Sequence, residues 1–402
     1  PSRAAIMSGQ YAAKSGFKRI GDVFDQSGNT LAQLLQQAGY TTALFGKWHL
    51  KSKPEGFSHV DAVKNQGSFI NPVFFDAESW TNKEKAKKVQ GFFTDVITDR
   101  TIDWLKQQDG EQPFALFLHH KAPHCPHITP ARYDSLFNFE LPYPEDFDDN
   151  FADNCTFIRE GEAPYTKLIN AYDFDVYNSL DNKHAPQGVE RGTYEYKIWA
   201  YQTLFKGYFR QIVNMDENIG RVLNFLEENN LEENTIVVYT SDNGWFTGEH
   251  GLFNKMWMYE ESIRIPLIIK YPPIIKRKRT ENRMVSILDF APTFLDYAGA
   301  DVPDEMQGMS LKPLLEGADV SDWRNSFFYH YYDQFGVPEQ YGLRTVEYKL
   351  IHFQDTSKVE FELYDLKSDP SELVNLIGNP GYRIIADSLM KKLHAVKVQF
   401  EN

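Results

Sequence analysis

The stretch Thr235-Ile236-Val237-Val238-Tyr239-Thr240-Ser241-Asp242-Asn243-Gly244 is the one on which the fold class turns. Its first five residues are β-branched or aromatic and almost wholly apolar, as in a strand buried on both faces. It ends abruptly in a polar, glycine-closed turn. The same change recurs twice. Thr41-Thr42-Ala43-Leu44-Phe45 runs into Gly46-Lys47-Trp48-His49-Leu50, and Phe114-Ala115-Leu116-Phe117-Leu118 runs into His119-His120-Lys121-Ala122-Pro123-His124. Pro266 to Tyr271 is a fourth apolar strand. Helical periodicity lies between them. Leu31, Leu34, Leu35 and Ala38 form one face, with Asn29 as the expected N-cap and Gly39 as the stop. Further helices are expected from about Thr94 to Gln108 and from Thr193 to Asn229. Alternating strands and helices predict an α/β fold, a mostly parallel sheet sandwiched by helices.

Beyond about residue 300 the pattern changes. Phe327–Tyr332, Tyr348–Ile351 and Phe361–Tyr364 read as closely spaced antiparallel strands, and Tyr382–Phe400 as a helix. The expected division is a larger domain over 1–305 and a smaller α+β domain over 306–402. A chain of 402 residues exceeds what one hydrophobic core usually holds, which agrees with two units. Lys plus Arg number 42 against 56 Asp plus Glu, a net charge of −14, which argues against nucleic acid as the main partner. The basic run Lys276-Arg277-Lys278-Arg279 reads as a solvated loop. No stretch approaches the ~20 apolar residues of a membrane span. Two cysteines, Cys125 and Cys155, allow one bridge or two free thiols. Thr129 to Arg191 is rich in Pro, Tyr, Asp and Asn, and weakly periodic.

Ligands of open α/β sheets bind beyond the carboxyl ends of the strands. Lys47 with His49, then His124, then Asp242 with Asn243, therefore converge on one crevice, and Lys255 follows shortly after. Asp242-Asn243-Gly244 is also an ordinary Asx turn. As ligands, its carboxylate and amide oxygens suit Ca²⁺ or Mg²⁺ better than zinc. The cluster His119, His120, His124, Cys125 and His127 matches no standard zinc spacing, so one acid/base histidine is the better reading. Two ammonium groups beside a metal attract a tetrahedral oxyanion, and sulfate and phosphate both qualify on charge.

Taken together, these residues resemble the type I, formylglycine-dependent sulfatases of the alkaline-phosphatase-like superfamily. The family's signature is Cys or Ser, any residue, Pro, Ser, Arg, three variable residues, Leu or Met, Thr, Gly. Pro1-Ser2-Arg3-Ala4-Ala5-Ile6-Met7-Ser8-Gly9 matches it from the third position on, with Ser8 in place of Thr. Gly46 to Leu50 resembles the second signature, and Ala122-Pro123-His124 and Ser241 to Gly244 resemble further active-site segments. Gly248-Glu249-His250-Gly251-Leu252 to Lys255, then Tyr259 to Pro266, are also similar. Leu363 to Leu366, Asp369-Pro370, Glu372 and Asn375-Leu376 resemble the family's C-terminal domain.

The resemblance implies a hydrolase that cleaves a sulfuric ester through a formylglycine gem-diol, made from an upstream Cys or Ser by a formylglycine-generating maturation enzyme. One hydroxyl attacks sulfur and the alcohol leaves; the second then loses its proton, sulfate is expelled and the aldehyde reforms. Arg3 would hold the formylglycine oxygen and Lys47 would bridge nucleophile and sulfate. His49 would take the second hydroxyl's proton, His124 would protonate the leaving oxygen and Lys255 would bind sulfate. Asp242 and Asn243 would ligate Ca²⁺, with Mg²⁺ an alternative. The signature sets the nucleophile two positions before Pro1. The family's paired acidic ligands and first, central strand would also precede it, so the chain as given is expected to be inactive. The likeness is greatest to bacterial glycan sulfatases, including mucin-desulfating and N-acetylglucosamine-6-sulfatase types, which implies a sulfated carbohydrate substrate and a periplasmic or extracellular place. The stretch from Thr129 to Arg191, with Trp245, Trp257 and Trp323, is a candidate sugar pocket. His250 is a candidate substrate contact or a structural hydrogen-bonding group. Asn154-Cys155-Thr156 is a glycosylation sequon. The alternatives are a phosphonate or phosphodiester hydrolase of the same superfamily, and a catalytically dead glycan-binding relative.

Overall fold

A computed structural model describes residues 1–160, 166–170 and 185–401. Strand β1 (Thr41–Lys47) is central to a three-stranded parallel sheet, with β2 (His59–Val63) on one side and β3 (Phe114–His119) on the other. Strand β4 (Val237–Thr240) pairs with β5 (Leu267–Lys270). That pair is antiparallel and forms a sheet of its own beside the parallel one. The C-terminal sheet is antiparallel in the order β6 (Ser326–Tyr331), β7 (Glu339–Thr345), β8 (Tyr348–Gln354), β9 (Val359–Asp365).

The helices that matter for the site are α1 (Ser2–Ser8), α2 (Leu31–Gln37), α3 (Phe93–Leu105), α4 (Tyr194–Glu228), α5 (Glu260–Ile263), α6 (Phe290–Ala298) and α7 (Arg383–Glu401). Thr193 caps α4, its side chain accepting from the Tyr196 N–H. Helix α2 starts one residue later than expected. Thr30, not Asn29, is the N-cap, because Gln33 lies three residues on and completes a capping box with it. The sequence reading missed β2 because Asp61 interrupts its apolar run; the carboxylate is paired with Arg100 of α3. It also missed β7, where Glu339, Gln340 and Gly342 dilute the pattern.

The two central sheets share both helix layers. On one face, Leu116 of β3 and Val237 of β4 pack on Trp104, Leu105, Val222 and Leu226 of α3 and α4. On the other, Phe117 of β3 and Leu267 of β5 meet α6, at Leu295 and Phe290 respectively. Yet β3 and β4 do not hydrogen-bond to each other. Every residue of both strands is half-buried, whereas β1 is buried along nearly its whole length. The two sheets therefore lie side by side on common helices, with facing inner edges.

The C-terminal sheet packs its Phe328, Leu343, Leu350 and Leu363 on Ala386, Leu389 and Leu393 of α7. Its other side meets Trp257, Met258 and Tyr259 through Ile351, Phe353 and Tyr364. Residues Lys276, Arg277 and Lys278 are exposed, while Arg279 donates to the carbonyls of Leu314 and Leu315. Both cysteines are free thiols. No described helix is long and apolar enough to cross a membrane.

Candidate active site

The polar groups gather where the central strands end. Lys47 is the last residue of β1 and is only 5% exposed. The chain can turn sharply there because Gly46 has φ +92°, and a Cβ on it would lie 2.2 Å from the His119 carbonyl oxygen. His49 follows at φ +59°, a left-handed conformation that a histidine adopts only when its surroundings impose it. The Lys47 carbonyl ties three elements together. It accepts from Arg3 Nη1 of α1 at 2.8 Å and from His119 Nδ1 at the end of β3 at 3.1 Å.

Arg3 also reaches the end of β4. Its Nε donates to Asp242 Oδ2 at 2.8 Å. Next to Asp242, Asn243 Oδ1 accepts from Lys255 Nζ at 2.9 Å, and Lys255 sits 5.5 Å above the Trp245 ring. The turn is seated in a backbone cradle. Gly244 N–H donates to Ser262 O at 2.9 Å, and a Cβ on Gly244 would lie 2.1 Å from Glu261 O. His124 Nδ1 donates to the Cys125 carbonyl at 3.0 Å, which leaves Nε2 to exchange a proton. Arg3, Lys47, His49, His124, Asp242, Asn243 and Lys255 are thus linked by contact or by mutual charge.

The electrostatics are lopsided. Three cations face one carboxylate. Burial pushes Lys47 well below an ordinary lysine, and Arg3 pushes it further. Burial and then Lys47, Arg3 and Lys255 push His49 down to about 3. Burial, Lys255 and Lys47 also hold His124 well below its usual range. Burial alone would raise Asp242, but Arg3, Lys47 and Lys255 outweigh it and keep the carboxylate ionised.

Asp242 and Asn243 offer adjacent hard oxygens, one of them on an ionised carboxylate, and so fit part of a Ca²⁺ or Mg²⁺ site. The histidines of the 119–127 segment do not converge. His119 is used by the Lys47 carbonyl, His124 by the Cys125 carbonyl and His127 by Gln211. Among the described residues, no three His, Cys, Asp or Glu side chains gather into a metal cluster.

Other expectations separate from this crevice. His250 is fully buried, with φ +53°. Its Nδ1 is 3.1 Å from Asp149 Oδ2 and its Nε2 is 3.7 Å from Asp146 Oδ2. Burial would lower its pKa, but the Asp149 hydrogen bond and the nearby Glu261 and Asp146 raise it instead. Trp257 is fully buried beside Phe353, and Trp323 donates to Met284 O, so only Trp245 of the three tryptophans touches the crevice. Trp245 also meets His124, His127 and Tyr208 edge-on or stacked. Asn154 is no glycan acceptor as folded, because its amide is buried and donates to Tyr259 and Tyr364. Of the stretch from Thr129 to Arg191, residues 161–165 and 171–184 lie outside the described residues.

Comparison with known proteins agrees with this geometry. The family model described as "Sulfatase" matches residues 1–300, and one described as "N-sulphoglucosamine sulphohydrolase, C-terminal" matches residues 248–399. An N-acetylglucosamine-6-O-sulfatase of Bacteroides thetaiotaomicron is 38% identical, over 100% of this chain and 78% of its own length. A solved structure described as a complex with its substrate D-glucosamine-2-N,6-O-disulfate aligns with TM-score 0.90 at 36% identity, over 100% of this chain and 88% of that one. A phosphonate monoester hydrolase of Silicibacter pomeroyi aligns at TM-score 0.77 and 23% identity, over 99% and 85%, and so shares the alkaline-phosphatase-like fold. With cations and an acidic turn at the ends of β1 and β4, a family match over most of its length and a sulfatase relative along all of it, the chain belongs to the sulfatase family.

Proposed function

We propose that the chain removes a sulfate ester from an N-acetylglucosamine-type residue of a sulfated glycan, with the 6-O-sulfate as the first substrate to test. Sulfuric ester hydrolysis itself comes with family membership. The observation that carries the site assignment is geometric: Arg3 bridges the Lys47 carbonyl and Asp242, and Lys255 donates to Asn243, so that cations from three segments meet the acidic turn at the ends of the strands.

In this reading Lys47 and Lys255 hold the sulfate oxygens, and Arg3 holds the oxygen of the nucleophile. His124 is kept in one tautomer by the Cys125 carbonyl, so that Nε2 delivers the proton to the leaving sugar oxygen. His49 accepts the proton that resets the nucleophile. Asp242 and Asn243 would hold a Ca²⁺, or Mg²⁺, together with acidic residues preceding Pro1, and the cation when bound would supply charge stabilisation at the sulfate. Formylglycine, two positions before Pro1, would supply the nucleophile; its installation needs a maturation enzyme. A periplasmic or extracellular place fits a glycan substrate. His250 serves as a structural group that ties Asp149 to the Gly248–Lys255 segment.

The test uses the enzyme with its upstream segment, assayed on N-acetylglucosamine 6-sulfate and on a matched phosphodiester. Sulfate release that is lost in Lys255→Ala supports the reading. A preference for the phosphodiester would overturn it in favour of the other branch of the superfamily.

A further inference from the structure

Lys255 is followed by a strained residue. Met256 has φ +96°, a strained conformation for a non-glycine residue that persists only where the surroundings over-determine it. What over-determines it comes from far away in the chain. Gln340, in the middle of the C-terminal sheet on β7, is fully buried. Its Nε2 donates to Met256 O at 2.9 Å, and its Oε1 accepts from Met258 N–H at 2.8 Å. Both ends of one amide are thus spent on the backbone that leads away from Lys255. Ser262 Oγ accepts the Met256 N–H at 3.2 Å and completes the grip.

A second anchor sits one turn further on. Glu260 opens α5 and is held from the same sheet. Lys349 of β8, fully buried, places Nζ 2.9 Å from Glu260 Oε1 and 2.7 Å from Glu372 Oε1. Arg344 of β7 adds Nη2 at 3.1 Å from Glu260 Oε2. Glu372 Oε2 accepts the Glu260 backbone N–H at 2.7 Å. From Glu260 the path to the crevice is short: Ser262 O accepts the Gly244 N–H, and Asn243, which receives Lys255, immediately precedes Gly244.

We infer that Gln340, supported by Lys349, is a positioning residue for the sulfate-binding Lys255 and for the Asp242-Asn243 turn. The C-terminal sheet supplies no reacting group; it holds Met256 in its strained conformation and so fixes where the Lys255 ammonium stands. This rests on the assignment of Lys255 to the sulfate. Buried amides that satisfy both hydrogen-bonding ends on one loop cannot be replaced by an apolar side chain without releasing that loop.

The experiment measures inorganic sulfate binding to the complete enzyme through Trp245 fluorescence, alongside KM, kcat and the thermal midpoint. Gln340→Leu should weaken sulfate binding roughly tenfold, the effect of about 1.4 kcal/mol. Leu393→Ala, in the α7 face of the same sheet, serves as a destabilised control. It should lower the midpoint and leave sulfate binding intact. If Leu393→Ala weakens sulfate binding as much as Gln340→Leu at equal thermal loss, the sheet acts through stability alone and the inference falls. If Gln340→Leu binds sulfate normally, it falls directly. If Lys255→Ala binds sulfate normally, the site assignment fails first, a separate outcome that takes the inference with it.

Discussion

The C-terminal sheet and the central strands are both built from apolar residues, yet they differ in how completely their interactions are closed. In the C-terminal sheet three strand pairs run in full antiparallel register, and three of its buried polar side chains are occupied: Gln340 by a backbone, Lys349 by two carboxylates, Glu362 by Tyr259 and the Cys155 N–H. The central strands β3 and β4 share helices without sharing hydrogen bonds, and the carboxyl end of β1 carries the positive-φ residues Gly46 and His49 beside the buried Lys47. The closed region holds and the open region reacts. Strain and buried charge concentrate where the polar groups meet, and the rigidity to sustain them is drawn from the neighbouring sheet.

The largest expected effect tests that division at Lys47. Lys47→Met removes a buried ammonium whose burial disfavours its charge. In the complete enzyme kcat/KM should fall by about 10³-fold or more, while the thermal midpoint stays level or rises. A parallel loss of stability, seen by scanning calorimetry, would mean that the charge supports the fold and would break the comparison.

A smaller effect is expected at Gly244, on the boundary. An alanine there must displace the Glu261 or Arg264 carbonyl, at 2.1 and 2.7 Å from the new Cβ. Sulfatase turnover should drop about a hundredfold, the scale of a catalytic group moved by ~1 Å. Hydrogen exchange across β7 and β8 should stay as slow as before. Faster exchange there would show that the two regions are one cooperative unit.

The smallest effect concerns Glu261, whose carboxyl burial raises from an ordinary 4.5 to about 7. A folded state that holds this proton more tightly than the unfolded chain loses stability as pH rises from about 4.5 through about 7. Glu261→Gln keeps the neutral form, so its thermal midpoint should exceed that of the parent by a few degrees at pH 8 and barely at pH 5. The opposite trend would mean that His250, on the other side, dominates the pair.

Much of the crevice was legible in the sequence because its groups sit directly after strands. Lys47, His49, Asp242 and Asn243 needed only the rule that strand ends converge, and the family motifs then supplied roles for Arg3 and His124. What escaped was long-range. Gln340 lies 84 residues from Met256 and occupies a strand that polar residues and Gly342 had hidden. Nothing local marks it, since a glutamine in a strand is ordinarily solvated. His250 shows the converse. Its neighbours Gly248 and Gly251 mark a turn, but only the folded chain reveals that Asp146 and Asp149 close over the imidazole. The antiparallel direction of β5 could not be read, because direction leaves no trace in hydrophobic pattern.

The surplus of cations around His124 has a calorimetric consequence. Burial first, and then Lys255 and Lys47, hold this imidazole below its usual range, so an anion that offsets the two lysines raises its proton affinity and couples binding to proton uptake. The heat of sulfate binding should then vary with the ionisation enthalpy of the buffer, and its slope counts the protons taken up. Binding and protonation would then be read from one titration, before any bond is cleaved.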